Sequence, residues 1–218
     1  MRIENYNHKI NVSLLWERKI HLKNLLTNIL FSLVFAILMA ISANSFFYLP
    51  FTPVPVTMQV FTVLISSIIL GSRWAFMSQF WYIIMGISGL PVFAGFKSGI
   101  GVLAGPTGGY IIGFLVSSFV SGYIYESSRI SGNRLDSKPG NIHKKNVTLA
   151  YFISCMAGLS IIYLFGYFHL LGYLYMITLQ ASFPSLLIKA FELGVKPFII
   201  IDLLKISGIL ALVKTIEK

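Results

Sequence analysis

An acid and a base lie three residues apart near the end of the chain, in the otherwise apolar segment KPFIIIDLLK. On a helix, Asp202 and Lys205 would project about 60° apart around the axis and one turn apart along it. Ionisable side chains inside a membrane helix cost roughly 2.5 to 3.5 kcal/mol each, so they usually face the protein interior or a cavity, commonly as a pair. The pair is therefore either a local salt bridge or the polar floor of an apolar pocket. In a pocket, Asp202 would accept N–H groups and Lys205 would hold a carbonyl or a carboxylate.

Further candidate site residues lie well upstream of this pair. Gln59 follows a loop with three prolines and is either a ligand-binding amide or an ordinary helix-end side chain. Residues 91–109 contain six glycines and two prolines, which predicts a backbone shaped for close approach rather than a flexible linker. Tyr82, Phe93 and Tyr110 flank this glycine-rich loop, where they would serve either as ligand walls or as interfacial anchors.

Several common chemistries find no support in the sequence. The GIGVLA segment at 99–104 matches a loosened dinucleotide pattern, but no βαβ unit surrounds it, and Phe96 separates Gly95 from Lys97 where a phosphate loop needs them adjacent. Cys155 is the single cysteine and the four histidines are scattered, so neither a disulfide framework nor a metal site is expected.

The composition indicates that these residues lie in a membrane protein. The chain of 218 residues is 56% hydrophobic and 11% charged, with a mean hydropathy of +0.79, whereas a soluble domain carries about 25% charged residues. A bilayer-spanning helix needs about 20 apolar residues, and several uncharged stretches are long enough. We predict an all-α integral membrane protein with six transmembrane helices, at residues 25–43, 58–72, 77–90, 110–125, 147–166 and from about 197 onward.

Basic residues lie between the predicted helices, in segment 1–23, in a polar loop at about 126–146 and at the C-terminal Lys214 and Lys218. By the positive-inside rule all three regions are cytoplasmic, which agrees with an even number of spans. The net charge of +10 therefore reflects membrane topology and does not indicate nucleic acid. We divide the chain into a basic cytoplasmic N-terminal arm, 1–23, without a cleaved signal peptide, and a membrane domain, 24–218.

Two connections between the helices can be assigned from their composition. Residues 73–76 (RWAF) predict a tight cytoplasmic turn between the second and third helices. Residues 167–195 are aromatic and contain Pro184, which predicts an outer loop with short interfacial helices.

Small residues recur every four positions on two predicted helices, and small residues at this spacing let helices approach closely in a membrane. Each stripe either packs inside the bundle or faces a partner protein. The stripes are Ser32, Ala36 and Ala40 on the first helix, and Gly109, Gly113, Ser117 and Ser121 on the fourth.

Four segments resemble, in order and spacing, the signature segments of the BioY family, the substrate-binding S-components of energy-coupling-factor (ECF) biotin transporters. They are FTPVPVTMQVF at 51–61, YIIMGISGLPVFAG at 82–95, GPTGGYIIGF at 105–114 and KPFIIIDLLK at 196–205. The resemblance covers about residues 25–213. It implies a six-helix S-component fold in the cytoplasmic membrane that binds biotin on the outer side as a transported ligand, with no cofactor and no enzymatic activity.

The resemblance also implies partners and roles for individual residues. Transport would require a transmembrane coupling protein and two cytoplasmic ABC ATPases, since the sequence contains no ATPase motif, and the first helix would contact the coupling protein at Ala36 and Ala40. One departure is visible: Ile200 and Ile201 stand where the family usually has Pro-Gly. Together with the residues chosen above for their chemistry, the predicted biotin site is Gln59, Tyr82, Phe93, Gly108, Gly109, Tyr110, Asp202 and Lys205.

Three other functions remain open at this point. The chain could be an S-component for another small vitamin, which a ligand screen would reveal. A small intramembrane enzyme could use Asp202 as a base, although no nucleophile with a paired base is evident. An assembly protein would need only the small-residue stripes, and it would leave the charged pair without a purpose.

Overall fold

Six helices form the bundle in the computed structural model, which describes residues 24–135, 144–178 and 182–216. The predicted N-terminal arm, 1–23, the centre of the basic loop, 136–143, and Lys218 lie outside the described residues. The fold is all-α, as predicted, and the one sheet in the described part of the chain is a ribbon of two strands with two residues each. The elements are α1 (Asn24–Asn44), β1 (Phe46–Phe47), β2 (Val56–Thr57), α2 (Gln59–Ile87), α3 (Gly101–Ala104), α4 (Gly108–Leu135), α5 (Lys144–Ile177), α6 (Phe183–Gly194) and α7 (Ile199–Ile216).

Helix α2 is a hairpin of two arms that reverse at Gly71. The Gln59 amide donates to the Tyr82 hydroxyl at 3.0 Å although the two residues are 23 positions apart, a separation that a straight helix would stretch to about 35 Å. Gly71 has φ 75° and ψ 175°, a conformation essentially restricted to glycine. The arms, 59–70 and 72–87, are the predicted second and third helices. The predicted turn at 73–76 is wrong by a few residues, because Arg73 already lies in the second arm.

The bend at Gly71 is fixed by a carboxylate from another helix. Glu126 on α4 accepts the Ser72 backbone N–H at 2.9 Å and the Ser72 hydroxyl at 2.8 Å. This carboxylate therefore caps the first turn of the second arm, whose N–H groups have no partners within the helix. A side chain on Gly71 would overlap Glu126, so the glycine is needed for space as well as for its backbone angles.

Helix α4 lies between the α2 hairpin and α5. Its stripe Gly109, Gly113, Ser117 and Ser121 is buried, which confirms internal packing rather than an outward-facing surface. Gly113 packs on the backbone of Ile162. Ser121 and Ser154 exchange hydrogen bonds across the α4–α5 contact, each hydroxyl bonding the other residue's carbonyl. Small residues thus set the distance between these helices where lipid supplies little drive for association.

Helix α5 is longer than the sequence suggested. It continues to Ile177, so residues 167–177 of the predicted outer loop belong to α5. Of the short helices predicted for that loop, the described residues contain α6. Residues 126–135 and 144–146 of the predicted basic loop are also helical, as parts of α4 and α5. Helix α6 packs along α5, and after a turn at 195–198 the chain enters α7, as predicted.

Four of these helices are long and apolar enough to cross a membrane: Asn24–Asn44, Gln59–Ile87, Gly108–Ser128 and Thr148–Ile177. The second of them is the folded α2 hairpin, whose arms run side by side. Helix α7 is also strongly apolar, but it carries three charged residues, Asp202, Lys205 and Lys214, within its 18 residues. With the two arms of α2 counted separately and the short α3 and α6 left out, the described part of the chain contains a bundle of six helices: α1, the two α2 arms, α4, α5 and α7.

Candidate functional site

A cavity of about 540 Å³ opens at the end of the bundle that carries the β1–β2 ribbon and the loop 88–107, hereafter the loop end. This end is opposite Gly71, because the cavity is lined by Gln59 and Tyr82 at the far ends of the two α2 arms. Its volume lies within the range of about 300 to 1,000 Å³ usual for small-molecule sites. The principal lining side chains are Tyr48, Gln59, Tyr82, Phe93, Lys97, Thr107, Tyr110, Phe114, Tyr163, Phe198, Asp202 and Lys205.

Asp202 and Lys205 form the floor of the cavity and also pair with each other. Lys205 Nζ lies 2.6 Å from Asp202 Oδ1 and donates to the backbone carbonyl of Thr57 on β2, also at 2.6 Å. The Tyr163 hydroxyl donates to Asp202 Oδ2 at 2.7 Å. The salt bridge and the polar floor, which the sequence left as alternatives, are both present. The two side chains are 3% and 9% exposed, so the floor is nearly closed to bulk solvent.

This floor has hydrogen-bonding capacity left for a ligand. Each oxygen of Asp202 accepts one bond in the structure, whereas a carboxylate offers about four acceptor sites. Lys205 uses two of its three donors, on Asp202 and on Thr57. The floor can therefore accept N–H groups and donate to a carbonyl next to them. It carries no net charge, so it suits a neutral polar group.

Gln59, Tyr82 and Phe93 form one wall, and all three line the cavity as predicted. The Gln59 amide is oriented by two contacts, because Nε2 donates to the Tyr82 hydroxyl at 3.0 Å and Oε1 accepts the Thr57 hydroxyl at 3.2 Å. Tyr82 meets Phe93 edge to face with ring centroids 5.5 Å apart. Phe93 is fully buried over Gly86, where any side chain would overlap its ring. The wall is a rigid aromatic surface with one fixed amide.

Tyr110 forms the opposite wall at the start of α4. Its hydroxyl donates to the carbonyl of Gly194 at 2.6 Å, at the end of α6. This bond ties the first turn of α4 to the junction between α6 and α7.

Two predicted glycines do not line the cavity. A side chain on Gly108 would overlap the carbonyl of Leu103 on α3, and one on Gly109 would overlap Phe165 and His169 on α5. Both glycines allow α4 to start close against its neighbours and thereby position Tyr110. The sequence pattern did not distinguish packing glycines from lining residues.

The two alanines predicted at a partner interface lie on the inner side of α1. Ser32 and Ala36 are fully buried within the chain, and Ala40 is partly buried against the core. Of the two alternatives for this small-residue stripe, internal packing and a partner-facing surface, the structure shows internal packing. Ala36 has no surface to offer to a partner in this structure.

Replacement of the family's Pro-Gly by Ile200 and Ile201 leaves the acid in place. Helix α7 starts at Ile199, and the Asp202 N–H donates to the carbonyl of Phe198 at 2.8 Å, within the first turn. Ile200 is 72% exposed on the outer side of this turn. Ile201 is partly buried against the core, and neither isoleucine lines the cavity, whereas Asp202 does.

Many lining residues were missed from the sequence, among them Tyr163, Thr57 and Lys97. Tyr163 stands among many aromatic residues of α5, and nothing in its neighbourhood separates it from Tyr167 or Tyr173. Thr57 reaches Lys205 through its backbone carbonyl, which any residue would supply. Lys97 was considered only as part of a phosphate loop, yet it is the third charged residue of the cavity lining. In the described part of the chain, no group of His, Cys, Asp or Glu side chains could hold a metal ion.

The geometry defines a membrane protein with a small-molecule site at one end of its bundle, and comparisons with known proteins identify the family. The model of the BioY family matches residues 12–218. The biotin transporter BioY of Thermotoga maritima is 38% identical over 158 residues, which cover 72% of this chain and 78% of that protein. The probable biotin transporter BioY of Pyrococcus horikoshii is 37% identical over 153 residues, or 70% and 74% of the two chains. The chain belongs to the BioY family.

A solved structure agrees with the fold. The crystal structure of the S-component for biotin from an ECF-type ABC transporter superposes with a TM-score of 0.65 and covers 88% of this chain and 93% of its own, at 18% identity. At that identity the match supports the fold alone. The predicted S-component fold is confirmed.

Proposed function

We propose that this protein is the biotin-binding S-component of an ECF-type transporter, a transport subunit rather than an enzyme. The observation that carries the proposal is the floor of the cavity, where a neutral Asp202–Lys205 pair keeps free acceptor sites beside a free donor. Membership in the BioY family, with relatives named as biotin transporters, supports this choice of ligand.

The chemistry of biotin suits this cavity. Its ureido ring presents two N–H donors on either side of one carbonyl and is uncharged. Asp202 accepts a ureido N–H in this proposal, and Lys205 donates to the ureido carbonyl. Tyr82, Phe93 and Tyr110 enclose the apolar bicycle, and the Gln59 amide supplies a further polar contact. Water is displaced mainly from aromatic surface, which is the favourable part of the binding.

The proposed orientation places the loop end outside the cell and the Gly71 bend in the cytoplasm. The bend contacts Glu126, shortly before the basic residues of 129–145, so the positive-inside rule supports this direction. The membrane would be the cytoplasmic membrane. Biotin would then enter from outside, and the triple-proline loop 48–55 and the glycine-rich loop 91–109 would close over it.

We further propose that a transmembrane coupling protein and two cytoplasmic ABC ATPases drive release to the inside. The name of the similar structure, an S-component of an ECF-type ABC transporter, supports partners of this kind. Because Ala36 is buried, contact with the coupling protein would involve the outward apolar face of α1 next to Ala40, such as Ile37 and Ile41.

Equilibrium binding to the purified protein in detergent tests the proposal. Labelled biotin should bind saturably, and unlabelled biotin should displace it, whereas thiamine and riboflavin should not. The matched comparison is the double variant Asp202→Asn/Lys205→Met, which removes both charges of the floor together and should bind biotin at least about 100-fold more weakly. Absence of saturable binding, or displacement by an unrelated vitamin, would overturn the proposal.

A further inference from the structure

The charges that line the cavity are distributed unevenly between its floor and its mouth. On the floor, Asp202 and Lys205 neutralise each other at 2.6 Å. The third charged residue among the lining residues, Lys97, lies in the glycine-rich loop and is exposed. Biotin carries one carboxylate at the end of an aliphatic chain. If that carboxylate lay on the floor, it would add an uncompensated negative charge to a nearly closed site, which is costly.

The backbone around Lys97 is held in place on both sides. The Phe93 N–H donates to the carbonyl of Lys97 at 3.0 Å, and the Gly99 N–H donates to the carbonyl of Gly86 at 2.8 Å. Between them, the Phe96 N–H donates to the side-chain oxygen of Asn44 on α1 at 2.8 Å. Phe96 itself has φ 56°, which a non-glycine residue keeps only where its surroundings enforce it. The loop thus presents Lys97 from a fixed position at the cavity mouth.

The side chain of Lys97 and the hydroxyl of Tyr48 both lie beside Gly95. A Cβ built there would be 3.8 Å from Lys97 Cε and 3.6 Å from the Tyr48 hydroxyl. Gly95 has φ 76° and carries no side chain to separate the two groups. Tyr48 and Lys97 both line the cavity. An ammonium and a phenol hydroxyl on the same side of a fixed loop form a pair of donors suited to a carboxylate.

We propose that Lys97, assisted by the Tyr48 hydroxyl, binds the carboxylate of biotin at the mouth of the cavity. This inference rests on the proposed function, and it gives the ligand a direction, with its ureido ring on the floor and its carboxylate at the mouth. Lys205, which the sequence allowed to hold either a carbonyl or a carboxylate, then binds the ureido carbonyl. Lys97 is then a specificity residue that separates free biotin from biotin joined to another molecule through that carboxylate.

The test compares biotin with biotinamide, in which the carboxylate is replaced by a neutral amide of nearly equal size. Both ligands are titrated into the purified protein and into Lys97→Met, Lys97→Arg and Tyr48→Phe. The matched control is Lys196→Met, an exposed lysine that does not line the cavity. Titrations at low and high salt report whether a solvent-exposed charge takes part.

The wild-type protein should prefer biotin to biotinamide by roughly tenfold or more, as expected for a charge-assisted hydrogen bond. Lys97→Met should abolish this preference by weakening biotin binding alone, and Lys97→Arg should largely retain it. Tyr48→Phe should reduce the preference to a smaller extent, and Lys196→Met should not change it. High salt should reduce the wild-type preference but leave biotinamide binding unaffected.

Two failures can be told apart. If the wild-type protein binds biotin but Lys97→Met keeps the wild-type preference, the carboxylate lies elsewhere and the inference is overturned while the proposed function stands. Loss of the preference in Lys205→Met but not in Lys97→Met would place the carboxylate on the floor and overturn it likewise. If the wild-type protein binds neither ligand, the proposed function and this inference both fall.

Discussion

Asp202 and Lys205 are each other's counter-ion as well as the floor of the site. Removal of either partner leaves a charge in a nearly closed environment, and breaking a buried pair typically costs about 3 to 5 kcal/mol. A simple loss of binding in Asp202→Asn or Lys205→Met would therefore not separate a ligand contact from damage to the fold. The double variant Asp202→Asn/Lys205→Met makes this separation, because it removes both charges together.

We expect each single variant to lower the thermal stability of the detergent-solubilised protein by several degrees, and the double variant to recover most of that loss. Biotin affinity should fall about 100-fold or more in all three variants, since none retains both the acceptor and the donor. Intrinsic fluorescence melts and biotin titrations on the same samples measure the two quantities. Recovery of biotin affinity together with stability in the double variant would show that the pair is only structural.

At the scale of single residues, the sequence predicted those site members whose type is unusual in its surroundings. Asp202, Lys205 and Gln59 are polar groups in apolar segments, and a membrane makes such groups costly unless they serve a site or a partner. Tyr163 is different, because a tyrosine among other aromatic residues carries no such cost, and its role depends on α5 bringing it within 2.7 Å of Asp202. The contribution of Thr57 is a backbone carbonyl, which has no sequence signature.

At the scale of elements, the helices were predictable from apolar length, whereas their ends were not. The turn of the α2 hairpin was expected at 73–76, beside the charge of Arg73, but the chain reverses at Gly71. This placement depends on Glu126 on α4, which caps the second arm at Ser72 although it lies 54 positions further along the chain than Ser72. Residues 167–177 were expected in a loop for their aromatic content, yet they continue α5, and α6 packs against α5.

The contact between Gly71 and Glu126 predicts a coupling between two substitutions. Gly71→Ala places a Cβ against the Glu126 carboxylate at a residue with φ 75°, and Glu126→Ala removes the cap on Ser72. Each should reduce stability, Glu126→Ala by about 1 kcal/mol for the lost cap and Gly71→Ala by more, since strain and overlap add.

The double variant Gly71→Ala/Glu126→Ala should be more stable than the sum of the two single effects predicts, because the overlap is absent once the carboxylate is removed. Gly89 provides the control, as it also has positive φ (102°) but open space around it. Gly89→Ala should be destabilising without any coupling to Glu126→Ala. Denaturation of the four combinations in detergent measures the coupling, and strict additivity at Gly71 would exclude the contact.

At the scale of the whole molecule, the two ends of the bundle differ in what they present to water. The loop end carries the cavity, the β1–β2 ribbon and the loop 88–107, whereas the opposite end carries the Gly71 bend and Glu126. The sequence predicted a difference between the two ends, because its lysines and arginines cluster in segments assigned to one side of the membrane. It could not show that residues from α2, α4, α5 and α7 converge on one cavity, since that depends on how the helices pack.

The proposed orientation can be tested directly because Cys155 is the single cysteine of the chain and is fully buried. Single reporter cysteines are placed at Ser98, an exposed residue at the mouth of the cavity, and at Ser127, an exposed residue next to Glu126. A membrane-impermeant maleimide should label Ser98→Cys in intact cells, and should label Ser127→Cys only after the membrane is opened. The unmodified chain, which retains Cys155, measures the background.

Biotin adds a second comparison to this experiment. If the ligand occupies the cavity beneath the glycine-rich loop, saturating biotin should slow the labelling of Ser98→Cys severalfold, because the mouth is covered, and should leave Ser127→Cys unchanged. Biotin-dependent protection at both positions would indicate a global change in the protein rather than coverage of the mouth. Labelling of Ser127→Cys in intact cells would reverse the orientation, and with it the direction in which this bundle presents its cavity to the ligand.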